Sequence, residues 1–250
     1  MIWIYSKCTH KEGLKVEEPY YLDITSRITE ANKAISHNLV EGDVAPSKRN
    51  AMKCSNGSCK WPKSSSGLVE VPYIFSDYFY DGEKASIKEA MDTFHKKTYV
   101  RFVPHRGQSD YLSIEREMGR GDWCWATIGR DGGRQLVSLF LYGCLDRGTI
   151  QHELLHTLGF HHEHTRSERD RYVRINWQNV PSVNHANHFN KMNMSYDYSS
   201  VMHYGRSFFA SSFGADTIAP IPDSSVPIGQ RNGMSYLDIL RINRLYKCNV

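Results

Sequence analysis

Three residues within five positions could do metal chemistry: His152, Glu153 and His156. On a helix, residues four apart share one face, so both imidazoles of this HExxH string can reach one metal ion. A catalytic zinc site takes three protein ligands and leaves the fourth position to water, so a third donor must come from beyond the helix. Gly159, three residues after His156, suits a left-handed cap that ends the helix and turns the chain back, and His162 then stands ten residues after His152. His161 and His164 compete for that place, but the HExxHxxGxxH spacing selects His162 and leaves the other two as supporting or surface groups. At about one in twenty per residue, HExxH alone has chance odds of a few per cent in a chain this long, against roughly one in ten thousand for five fixed positions. A closed structural site would not require a glutamate beside a ligand.

Those residues need a frame. Apolar residues recur at helical spacing over 149–158, which predicts the helix that carries His152 and His156. Upstream, Val69–Phe75 reads as a strand, Glu83–Lys97 as a helix with Ile87, Ala90, Met91 and Phe94 on one stripe, and 99–103, 111–115 and 135–141 as strands. Downstream of Gly159 come about seventy residues rich in Asn, Ser, Gly and Pro, and then a closing helix over Tyr236–Tyr246. The expected fold class is α+β: a mixed sheet with helices in an N-terminal lobe and an irregular C-terminal lobe with a terminal helix, the two joined near residue 160.

Near the N-terminus, 23–36 reads as a short amphipathic helix through Ile24, Ile28, Ala31 and Ile35. After it, residues 37–49 contain Gly42, Pro46 and the dibasic pair Lys48-Arg49, a composition of exposed, irregular and cleavable chain. This places a boundary between 1–49 and 50–250.

Composition narrows the function classes. The 250 residues are 40% hydrophobic and 23% charged, as in an ordinary globular protein, and no apolar run approaches the roughly 18 residues of a membrane span. Residues 1–49 carry seven basic and seven acidic groups, so the whole net charge of +4 belongs to 50–250, too dilute to suggest a nucleic-acid partner. Cys8, Cys54, Cys59, Cys124, Cys144 and Cys248 do not form paired CxxC motifs, which argues against zinc held on sulfur. An even count with close pairs at 54/59 and 124/144 suits disulfides, and Asn-X-Ser sequons at Asn56 and Asn193 fit the same oxidising compartment. Met1–Tyr5 is shorter than the apolar region of a signal peptide, so the start is expected to be truncated or misplaced.

The string HELLHTLGFHHEHTRSERD resembles the active-site segment of the astacin family of metzincin zinc endopeptidases, and Ser200-Val201-Met202-His203-Tyr204 resembles that family's Met-turn. The likeness runs from about Gly67 to Cys248 and implies a two-lobed catalytic domain with the zinc cleft between the lobes. It implies one zinc ion per chain held by His152, His156 and His162, Glu153 as the general base on the zinc-bound water, and Tyr204 as a movable fifth ligand that stabilises the oxyanion. It also implies Met202 beneath the metal and Glu163 as the partner of a new N-terminus. Leu39-Val40-Glu41-Gly42-Asp43 is similar to the family's propeptide switch, with Val40 where the family usually has Phe. There Asp43 would take the water's place on zinc in the zymogen, until a trypsin-like enzyme cuts after Arg49. Cys124 and Cys144 match the family's short loop pair. Its other disulfide would join Cys248 to a cysteine where this chain has Tyr99, which leaves Cys248 free, paired with Cys8 in the precursor, or bridged to another chain. Cys54 and Cys59 close to the new N-terminus are similar to the six-cysteine fish astacins, including hatching enzymes. The expected activity is therefore a secreted, monomeric zymogen endopeptidase acting on protein, with egg-envelope protein as substrate and digestive or matrix processing as the alternative duty. A metzincin that binds protein without cutting it would be expected to show damage at one of these positions, and none is damaged.

Overall fold

A computed structural model describes residues 39–46, 59–116, 124–141, 143–180 and 194–248. The expected helix over 23–36, Cys8, Cys54, the Arg49–Asn50 bond and both sequons lie outside the described residues.

The N-terminal lobe is a six-stranded sheet of β1 (Val44–Ala45), β2 (Val69–Phe75), β3 (Val100–Pro104), β4 (Tyr111–Glu115), β5 (Cys124–Thr127) and β6 (Arg134–Leu139), in the order β1-β5-β6-β4-β2-β3. β6, β4, β2 and β3 run parallel, β5 is antiparallel to β6, and β1 is parallel to β5. Val69 and Val71 are buried on one face of β2 while Glu70 between them points to solvent, the period of two that a half-covered sheet requires. Helix α1 (Asp81–Lys97) covers that face with Ile87, Ala90, Met91 and Phe94, the stripe its sequence spacing predicts. Glu83 accepts the Tyr80 amide at 2.8 Å, which satisfies one of the free N–H groups at the helix start. His95, Lys96 and Lys97 suit its negative C-terminal end.

Helix α2 (Arg147–Thr157) is buried from Gly148 to Thr157, so its polar residues face the interior rather than water. Asp146 starts it two residues earlier than the apolar pattern predicts, by accepting the Thr149 amide at 2.9 Å. Gly159 ends it. At φ +100° it takes the left-handed conformation, its N–H reaches His156 O at 2.8 Å, and Phe160 N–H reaches Leu155 O at 3.1 Å. This paired closure turns the chain sharply enough to bring 160–162 back beside the helix.

The C-terminal lobe holds the short antiparallel pair β7 (Val173–Ile175) and β8 (Ile218–Pro220) around a second cluster of Val173, Tyr196, Tyr204, Phe208 and Ile218. Helix α3 (Tyr236–Leu245) returns to the first lobe, where Ile242 and Tyr246 join its core. Ser235 and Asp238 cap it reciprocally, each side chain taking the other's backbone N–H at 3.0 Å. The α+β architecture with two lobes agrees with the sequence expectation. Strand β3 is displaced by one residue from 99–103 and β6 stops two residues short of 141; β1, β5, β7 and β8 are too short for alternation to show. No helix among the described residues is long and apolar enough to cross a membrane.

One expectation is corrected. Residues 37–49 read as exposed and irregular, yet Gly42, Asp43 and Val44 are buried and β1 extends the sheet beyond β5. Asp43 O accepts the Ala126 amide at 3.0 Å, and Val40 and Val44 exchange backbone bonds at 2.8 and 3.0 Å. Composition misleads here because the segment borrows its apolar surroundings from elsewhere. Gly42, at φ +88°, lies so close to Phe209 that an added Cβ would meet the ring at 2.8 Å.

Candidate active site

The imidazoles of His152 and His156 project from α2 and that of His162 from the returned chain, all fully buried. His152 Nε2 lies 3.2 Å from the Nε2 atoms of both His156 and His162. Their outer nitrogens are held apart: His152 Nδ1 donates to Val201 O at 2.8 Å and His156 Nδ1 to Phe160 O at 2.7 Å. Those bonds fix tautomers in which each Nε2 carries a lone pair. The third ring's Nδ1 instead meets the Glu41 carboxylate at 2.6 Å.

Asp43 completes the cluster. Its carboxylate lies 3.1 Å from His152 Nε2, 3.5 Å from His156 Nε2 and 3.1 Å from His162 Nε2. Three inward nitrogens and a carboxylate, all buried, form a set of acceptors that needs a cation at its centre. Ligands on a tetrahedral ion with bonds of about 2.0–2.1 Å stand about 3.3 Å apart, close to the observed spacing. The acid–base environment agrees. Burial, with the Arg231 charge, lowers His152 to about 3 and keeps it neutral. At His162 burial also lowers the pKa, but the charges of Asp43 and Glu41 outweigh it and raise the ring to about 9, so positive charge is favoured at this point. Asp43, Glu41 and their neighbours thus call for the charge that a metal ion supplies.

Glu153, adjacent to His152 in sequence, is fully buried, and both carboxylate oxygens lack a hydrogen-bond partner among the described residues. Burial first and the Asp43 charge second push its pKa well above the ordinary value. Tyr204 is buried over the cluster, its ring 4.2 Å from that of His162 and 4.1 Å from that of His164, with its hydroxyl donating to Glu41 O and 3.5 Å from the Asp43 carboxylate. His161 is one-third exposed and 3.6 Å from Glu41. His164 has no direct part in the cluster but stacks on Tyr204.

The turn beneath the cluster is anchored on α3. Asp238 accepts Ser200 Oγ at 2.6 Å and Val201 N at 2.9 Å, and Val201 O is the acceptor for His152. Met202 is 2% exposed, and its carbonyl accepts the Glu163 amide at 3.0 Å. The Glu163 carboxylate is held by Arg241 at 2.7 Å through both oxygens, by Arg166 at 3.0 Å and by the Asp197 amide at 2.7 Å. Sequence reasoning missed Arg241, Asp238 and Glu41. The first two lie far from the motif in sequence, whereas Glu41 stands two residues before Asp43.

A buried cluster of three histidines, two of them on an HExxH helix, set between a mixed sheet and a largely irregular lobe, defines a zinc-dependent peptidase. The chain belongs to the Astacin family of peptidases, which it matches over residues 54–247. It is 50% identical to High choriolytic enzyme 1 of Oryzias latipes over 234 residues, which cover 91% of this chain and 85% of that protein. Low choriolytic enzyme of Oryzias latipes is 45% identical over 241 residues, 94% and 87% of the two chains. The solved structure of High choriolytic enzyme 1, a hatching enzyme zinc-protease from medaka, superposes with a TM-score of 0.73 and 50% identity over 80% of this chain and 100% of that one. Myroilysin, at 14% identity and a TM-score of 0.50, shares the fold. The chain is thus a zinc metalloendopeptidase related to hatching enzymes and acts on protein.

Of the described cysteines, Cys124 and Cys144 form a disulfide with Cα atoms 5.7 Å apart, Cys59 is also disulfide-bonded, and Cys248 is a free thiol.

Proposed function

We propose that the chain is the latent precursor of a secreted hatching-type endopeptidase, with residues 1–49 as prosegment and 50–250 as the peptidase domain. The observation that carries the reading is the Asp43 carboxylate, buried against all three imidazoles beside a strand added to the sheet edge. His152, His156 and His162 hold zinc in this reading, and Asp43 occupies the place of the water. When bound, zinc supplies a Lewis acid and lowers the pKa of a water ligand toward about 7.

The chain's own residues do the rest. Once Asp43 leaves, Glu153, next to His152 and with both oxygens unpartnered among the described residues, takes a proton from the attacking water and later delivers one to the leaving amine. Tyr204, released from Glu41 O, turns its hydroxyl to the developing oxyanion. A trypsin-like protease cuts after Arg49, and the new amine at Asn50 approaches Glu163, joining Arg241 and Arg166 there. Met202 packs below the metal, and Cys54 pairs with Cys59. Egg-envelope protein is the substrate in this reading, supported by the choriolytic enzymes among the relatives, and the enzyme acts as a monomer. The Cys124–Cys144 bridge supports an oxidising, extracellular site of action.

The test is to purify the uncut chain with zinc, add a trypsin-like protease, and follow mass, peptide hydrolysis and egg-envelope solubilisation together. Activity should appear with the cut after Arg49, and Asp43→Ala should cleave peptide while still uncut. A folded, zinc-loaded Asp43→Ala chain without activity would leave steric blockage in place of the carboxylate switch.

A further inference from the structure

The hydrogen bonds on the outer nitrogens of the cluster differ in one respect. His152 and His156 donate to Val201 O and Phe160 O, acceptors that belong to the peptidase domain and stay there. His162 has its Nδ1 on Glu41, at 2.6 Å, and Glu41 belongs to the segment that leaves. The Glu41 side chain is 3% exposed although it is ionisable, and its other carboxylate oxygen lies 3.6 Å from His161. Burial of this kind is costly unless the charge is compensated, and here both carboxylate oxygens face imidazoles.

The backbone at Glu41 adds a second hold. Glu41 adopts φ +54°, the left-handed region that a side chain other than glycine or asparagine seldom occupies. That conformation directs its carbonyl to the Tyr204 hydroxyl, while its side chain turns back to His162. Asp43, two residues on, faces the inner nitrogens. The two carboxylates therefore grip the His162 ring from opposite edges, one on Nε2 and one on Nδ1.

We propose that Glu41 is a second latency residue, a positioning residue that locks His162 by its carboxylate and Tyr204 by its carbonyl and so holds Asp43 in the site. This rests on the latency reading above. A hydrogen bond to a charged group is expected to favour the closed state about ten- to a hundredfold. The closed state should then depend on Glu41 even though Glu41 lies opposite the metal side of the ring.

The experiment compares the uncut parent, Glu41→Gln, Glu41→Gly and Asp43→Ala. Glycine favours positive φ, so Glu41→Gly removes the carboxylate while keeping the carbonyl where it is. The cobalt-substituted uncut chains report the ligand set through their visible spectrum, and a hydroxamate zinc binder reports how often the site opens. Once cut after Arg49, all three prosegment variants give the same mature enzyme, so parental activity after cutting certifies that each folded. Expected are about ten- to a hundredfold faster hydroxamate binding in uncut Glu41→Gly, a smaller gain in Glu41→Gln, whose amide oxygen still accepts from Nδ1–H, and a cobalt spectrum moved toward that of the cut enzyme. If both Glu41 variants match the parent within twofold while Asp43→Ala opens, Glu41 has no part in latency and Asp43 acts alone. If Asp43→Ala also stays shut, the switch reading itself fails, and this inference with it.

Discussion

Removing Arg241 should destabilise the enzyme by leaving the buried Glu163 carboxylate with one cation, Arg166, in place of two. Both Glu163 and Arg241 are 2% exposed at the side chain, and they meet through two bonds of 2.7 Å. Breaking a buried pair by removing one partner typically costs about 3–5 kcal/mol, because the other charge stays desolvated. Glu163 keeps Arg166 at 3.0 Å and the Asp197 amide at 2.7 Å, so the lower end, about 3 kcal/mol, is expected for Arg241→Met. For a domain of this size about 1 kcal/mol moves Tm by roughly 2–4 °C, so the melting point should fall about 6–12 °C. The assay is thermal unfolding of the zinc-loaded protein at fixed zinc concentration, with Glu163→Gln/Arg241→Met alongside. The double variant carries no carboxylate at 163, and Arg166 keeps Glu168 as its partner, so it should be more stable than Arg241→Met. A shift under about 2 °C, or a double variant less stable than Arg241→Met, would refute the reasoning. Glu163 follows His162 and bonds to Met202 O, so the same loss should loosen the base of the cluster.

Glu153→Gln should retain one zinc per chain and lose at least about a hundredfold in kcat, since general acid–base catalysis contributes roughly 10²–10⁴; zinc content and turnover measured on one preparation decide it. Chelation by 1,10-phenanthroline should abolish activity and lower Tm, and added zinc should restore both; full activity at zero bound zinc would exclude the metal from the reaction. Tyr99→Cys should form a bridge with the free Cys248, because the Tyr99 amide donates to Asn243 Oδ1 at 3.2 Å and the Cys248 amide to Asn243 O at 2.8 Å. The gain should be about 2–4 kcal/mol, read as a Tm difference lost on reduction; a free thiol at Cys248 in that variant would count against it.

The local order of this protein was legible in its residues because short-range physics decides it. The apolar stripe of α1 reports a face, and Gly159 marks where α2 closes. HExxH places His152 and His156 on one helix face whatever surrounds them. The meeting of His162 and Asp43 with that pair depends on the returned chain and on a strand added to the sheet edge. Composition could not show that 42–44 would be buried, since its neighbours Phe208, Phe209 and Ala126 come from elsewhere in the chain. Tertiary structure alone decided that Glu41 holds the outer nitrogen of His162, that Arg241 neutralises Glu163, and that Asp238 ties the turn at Ser200 and Val201 to α3. Each of these is a contact between groups more than thirty residues apart. Periodicity cannot report such contacts, because a charge buried far along the chain becomes tolerable only when the fold delivers its partner.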